Sequence, residues 1–132
     1  MDLKSEVLTS SERSLHLQYW KFFTGIVLAP IVEGKLDAWK AWIGELNGSR
    51  QEEFASFNSR YGLTKHEAWL AETPASPAVI VIHEGPGSDD LMPKRGPSQE
   101  SFDVWFKSKL VELHGMDVTQ PPLGPMPARY LG

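Results

Sequence analysis

One run of the chain constrains its fold more than any other: Ala78-Val79-Ile80-Val81-Ile82-His83-Glu84-Gly85. Residues 78–82 are unbroken in apolar, mostly β-branched side chains, with Pro77 before them and Gly85-Pro86-Gly87 closing the run. A run this short between such breakers predicts a strand rather than a helix. Side chains alternate along a strand, so Val79, Val81 and His83 share one face and Ile80, Ile82 and Glu84 the other. Neither face turns polar until the C-terminal end. A sheet with one wet face shows polar alternation, so both faces of this strand need cover.

Residues 19–31 repeat the pattern in Trp20-Lys21-Phe22-Phe23-Thr24-Gly25-Ile26-Val27-Leu28-Ala29, with Pro30 and Gly34 as terminators. Leu36, Trp39, Ile43 and Leu46 then trace one helical face. Asn47-Gly48 is a C-cap signal, and Ser49 with Glu52 forms a capping-box pattern that restarts the helix. Phe54, Phe57 and Tyr61 continue in phase to Gly62. Residues 64–72 form a more charged strand suited to a sheet edge, and 73–77 make a link short enough for a hairpin. Residues 85–97, with three prolines and three glycines, read as loop without regular structure. Ser98 is expected to cap a last helix ending at His114-Gly115, with Phe102, Trp105, Phe106, Leu110 and Leu113 as its core stripe. The proline-rich tail leaves room for a short strand at 128–131. Residues 1–17 show no clean apolar period and read as an N-terminal extension, which leaves 18–132 as the single domain.

This order is that of a β-α-β-β-α-β, α+β fold with an antiparallel sheet. In the split arrangement the first and third strands are central and the second lies at an edge. Two helices cover one face. The other apolar face calls for a partner, which a symmetric homodimer supplies with a single sequence.

The pattern resembles the ferredoxin-like, dimeric α+β barrel superfamily, and more narrowly a bacterial family of uncharacterised proteins within it. The residues that carry the likeness are Gly34-Lys35-Leu36, Glu72-Thr73-Pro74, Phe102-Asp103-Val104-Trp105-Phe106-Lys107, His114-Gly115-Met116-Asp117 and Pro121-Pro122-Leu123-Gly124-Pro125. They span roughly residues 20–131 and include no catalytic signature. The resemblance implies functions that range from cofactor-free monooxygenases and haem-degrading enzymes to proteins that only bind a ligand, so fold gives function here by analogy alone.

Composition removes some classes. Lys and Arg total 13 against 17 acidic residues, for a net charge of -4, which disfavours nucleic acid as a partner. The absence of cysteine excludes disulfide and thiolate chemistry. No apolar run is long enough to span a membrane, and residues 1–6 lack the apolar core of a signal peptide, so the cytoplasm is the expected location.

His83 is the candidate catalytic residue, because it ends the buried strand where an apolar face turns polar; a neutral imidazole there can act as a base or bind a ligand. His66, Tyr61, Trp20 and Trp69 join it as candidate ligand-binding residues, and Arg60 is an alternative polar anchor to Tyr61. The expected pocket lies on the sheet face that meets the partner. Should that face lie under the helices instead, His83 becomes a structural core residue. His66-Glu67 opens like a zinc-protease motif, but Leu70 stands where the second histidine belongs. A metal gathered by His66, His83 and Glu67 is not demanded by any spacing, and no metal or cofactor is expected. His114, at a helix C-terminus, is explained by a cation meeting the dipole. The leading expectation is a homodimer that binds a small apolar or aromatic molecule. The alternatives are a cofactor-independent monooxygenase-like enzyme and a haem- or metal-binding protein.

Overall fold

A computed structural model describes residues 24–122 and 126–132. The elements run β1 (Thr24–Pro30), α1 (Leu36–Asn47), α2 (Gln51–Arg60), β2 (Lys65–Glu72), β3 (Pro77–Glu84), a 3-10 turn (Ser88–Asp90), α3 (Leu91–Arg95) and α4 (Ser101–His114). The sheet has the order β1-β3-β2 with both pairs antiparallel. That order is compatible with a ferredoxin-like topology. The strand expected at 128–131 does not form: residues 126–132 carry no strand, and Tyr130 and Leu131 are almost fully exposed. Among the described residues β1 is therefore an edge, and only β3 is central. The N-terminal extension and residues 19–23 lie outside the described residues, as does Trp20.

Register fixes the two faces. Gly25, Val27 and Ala29 stand opposite His83, Val81 and Val79, which in turn stand opposite His66, Ala68 and Leu70. This face lies under the helices, with Val27, Ala29, Val79 and His83 buried and Ala68, on the edge strand, exposed. Ala29 and Val79 join one core with Trp39, Trp42, Phe57 and Phe106, and Leu110 and Leu113 extend it. The other face carries Ile26, Leu28, Ile80 and Trp69, which are 44%, 61%, 36% and 60% exposed. Both faces are apolar, as the sequence indicates, but the described residues cover only one.

Two expectations of local structure change. Residues 85–97 are not all loop, since α3 forms across Pro93. Pro93 is the third residue of that helix, where a backbone N–H has no intrahelical acceptor to lose. The last helix begins at Ser101 rather than beside Ser98. The Ser98 hydroxyl donates instead to Asp103 at 2.7 Å and accepts the Glu100 N–H at 3.3 Å.

Candidate functional site

The helix layer does not close fully on the sheet. Between them lies a cavity of about 450 Å³. Trp39, Trp42, Ile43 and Leu46 of α1 form one wall, Val27, Ala29, Val79 and Val81 of the sheet form another, and Phe106 and Leu110 of α4 contribute a third. Asn47, Glu67 and Trp69 are exposed lining residues, which places the opening between the C-terminal end of α1 and the edge strand β2. Four polar side chains also line the cavity: His66, His83, Arg95 and His114.

The strands bring two of these together. His66 on β2 and His83 on β3 are register partners, and their rings meet edge to face at 6.1 Å between centroids. On the other side of β3, Gly25 leaves room for the His83 ring. A Cβ at position 25 would lie 2.1 Å from the ring's Cε1, so any larger residue there would displace the ring. His83 is held in turn by the segment that follows its strand. Gly87 N–H donates to the Gly62 carbonyl at 3.0 Å, and a Cβ there would meet the Tyr61 carbonyl oxygen at 1.8 Å. That close approach of two backbones sets Ser88 against His83. The Ser88 hydroxyl, which reaches the His83 carbonyl oxygen at 3.4 Å, accepts the His83 Nδ1–H at 2.7 Å.

His66 Nδ1–H donates to Asn58 Oδ1 at 2.9 Å, and His114 Nδ1–H donates to the Pro30 carbonyl at 2.7 Å. With Nδ1 protonated in each ring, Nε2 keeps a lone pair. Burial pushes His66 down to about 3, with repulsion from His83 and Arg95 adding to it. The His66 ring keeps some surface toward the cavity but lies among Phe54, Phe57 and Phe106, the environment that disfavours its charge. His83 is lowered by burial and then by Arg95. His114 is also lowered by burial, against the opposing effect of its bond to Pro30. All three imidazoles are neutral at pH 7. His114 is therefore no cation at a helix end. It is a buried donor that ties the end of α4 to the end of β1.

Arg95 is the polar residue that the sequence did not point to. It is 4% exposed. Burial pulls its guanidinium down to about 10, against the raising effects of Tyr61 and Asp103, so it remains a cation at neutral pH. It sits four residues after Leu91, on the same face of α3. That spacing is the only sequence signal for it, and the prolines and glycines around it masked the helix.

The expected pocket toward a partner is overturned. His83 faces the helices, because its register partners Gly25 and His66 belong to the covered side. It is a core residue by position, yet the core there is hollow, so it lines a cavity all the same. Trp69 and His66 also line it. Tyr61 does not: its hydroxyl donates to Asp103 Oδ2 at 2.5 Å. Arg60 is likewise engaged on Asp103, through Nη2 at 2.7 Å and Nη1 at 3.1 Å. Glu67 belongs to the opposite strand face from His66, and its carboxylate accepts the Trp69 indole N–H at 3.2 Å. Among the described residues no three His, Cys, Asp or Glu side chains stand together as a metal site, and no helix is long and apolar enough to cross a membrane.

Comparison of the chain with protein-family models, with curated proteins and with solved structures returned no match.

Proposed function

We propose that this protein binds a small apolar or aromatic molecule in the cavity between sheet and helices, and that it does so as a homodimer. The observation that carries the binding reading is the cavity itself. A well-packed core leaves few voids larger than a water molecule. A space of about 450 Å³ with apolar walls and a few polar groups has the form of a small-molecule site. The test uses a neutral apolar dye such as Nile red. Wild type is expected to bind one dye per subunit, and Val81→Phe, which adds a ring at the cavity wall, to bind none. Equal binding by both proteins would remove the cavity from the account.

The dimer reading rests on the sheet face that the described residues leave uncovered. Ile26, Leu28, Ile80 and Trp69 form an apolar surface of the sort that marks an interaction site, and a two-fold axis lets that surface cover its own copy. Sedimentation at micromolar concentration is expected to show two subunits for wild type and one for Leu28→Glu. A monomeric wild type would exclude the dimer and leave the cavity reading intact.

The neutral pair His66 and His83 favours a second reading, a cofactor-independent oxygenase. A neutral imidazole can take the proton of a hydroxylated aromatic ligand, and the nearby Arg95 cation would favour the resulting anion. Oxygen uptake with such a ligand, lost in His83→Ala and His66→Gln, would support it. Binding with no turnover would return the protein to the binding class.

A further inference from the structure

We propose that the ligand of this cavity is an apolar carboxylate whose negative charge is held by Arg95. The inference rests on the cavity-binding reading and adds the chemical class of the ligand.

The observation behind it is a deficit of acceptors. A guanidinium carries five N–H donors. The only hydrogen bond from Arg95 to a described residue runs from Nη2 to the Met92 sulfur at 2.8 Å, and a thioether is a weak acceptor. Its Nε is buried with no partner. Asp103 could have neutralised it, but that carboxylate is already occupied by Arg60, Tyr61 and Ser98. Among the described residues no ion pair reaches Arg95. A buried cation without compensation is costly, so its retention in a cavity wall points to a compensating group that arrives from outside. The Trp42 indole N–H, on the same cavity, is also buried without an acceptor. Both orphaned groups are donors. Neither reaches an acceptor on the described residues, and beside a guanidinium the best acceptor is an anion.

The number of charges and the walls narrow the class. His66, His83 and His114 are neutral, so among the described lining residues Arg95 is the one cation. The Glu67 carboxylate stands at the exposed opening and accepts the Trp69 indole N–H, so inside the cavity one guanidinium balances one negative charge; a phosphate dianion would leave a net charge buried among Trp39, Phe106 and Leu110. The planar fork of arginine matches a carboxylate with two parallel hydrogen bonds. The apolar walls ask that the rest of the molecule be a hydrocarbon or aromatic body.

The experiment compares matched pairs of probes on the full chain at pH 7.5: naphthalene-2-carboxylate against naphthalene-2-carboxamide, and octanoate against octanamide. Binding is read by titration calorimetry. Wild type is expected to prefer the carboxylate by roughly tenfold or more, a difference of about 1.4 kcal/mol. Arg95→Met should lose that preference while still binding the amide, which shows that it has kept its fold. Arg95→Lys should keep part of it, since the charge remains but the fork is gone. Equal affinity for acid and amide in wild type, or a preference that survives in Arg95→Met, would overturn the anion assignment and leave the cavity reading standing. If neither series binds while Nile red does, the assignment falls; if the dye fails as well, both readings fall together. Inorganic phosphate should not compete at millimolar concentration; Arg95-dependent phosphate binding in place of the carboxylates would also overturn the proposal.

Discussion

Asp103 and Arg95 are both buried charged side chains, and their surroundings differ in kind. Asp103 is 0% exposed, yet it accepts two hydrogen bonds from Arg60, one from Tyr61 and one from Ser98. Burial alone would push its carboxyl up, but the bonds from Arg60, Tyr61 and Ser98 outweigh this and hold it below the usual range. Arg95 is almost as deeply placed and has one weak acceptor among the described residues. The first charge is finished by the fold. The second is not finished by any described residue, and it is the one that borders a cavity. Saturation of hydrogen bonds thus separates a structural ion from a site ion where burial cannot.

The comparison makes its largest prediction in acid. His66 titrates at about 3 in the folded protein against 6.5 unfolded, and His83 and His114 shift the same way. A base whose folded value is depressed binds its proton in the unfolded chain first. Stability is therefore complete above pH 6.5 and falls as the pH drops toward 3. At about 1.4 kcal/mol per unit, His66 alone can remove on the order of 5 kcal/mol. Asp103 behaves differently: its depressed value keeps its contribution until the pH falls below the unfolded value of 3.8. Urea unfolding at several pH values should show the histidine slope between 6.5 and 3 flatten in His66→Gln, with the steeper loss below 3.8 unchanged.

Asp103→Ala should come next. It strands the Tyr61 and Ser98 hydroxyls and the partly exposed Arg60, and removing one partner of a buried pair costs roughly 3 kcal/mol or more. Denaturant midpoints at pH 7 measure it. Gly25→Ala is smaller. The added methyl displaces the His83 ring from its bond to Ser88, an overpacking cost of about 1–3 kcal/mol, and loss of the hydrogen-bonded Nδ1 proton signal of His83 by NMR is its distinctive readout.

Much of the fold was legible in the sequence, for physical reasons that also explain the misses. Residues 78–84 could be assigned because β-branched side chains, a leading proline and a trailing glycine agree on a strand, and β3 occupies Pro77–Glu84. The two-faced apolar pattern was equally readable, but which face the helices take is set by crossover geometry that no residue encodes locally. That choice moved His83 from the expected partner side to the helix side. His66 and His83 were singled out as separate residues; their pairing depends on strand register, which a sequence shows only weakly. The sequence offers Tyr61 as a polar anchor beside His83, but its place in phase with Phe54 and Phe57 carries its hydroxyl to Asp103 instead. Arg95 went unread because Pro93 and Gly96 spell loop, although a proline in the first turn of a short helix removes no bond.

The contrast between the two buried ions is tested most directly by the stability of Arg95→Met in ligand-free buffer at pH 7.5. Methionine keeps much of the apolar stem and removes a charge that the described residues leave uncompensated. The account predicts a urea midpoint equal to or above that of wild type, as is found when buried ionic groups give way to apolar ones of similar size. A loss as large as that of Asp103→Ala would show that Arg95 is also finished by the fold, and would contradict its assignment to the site.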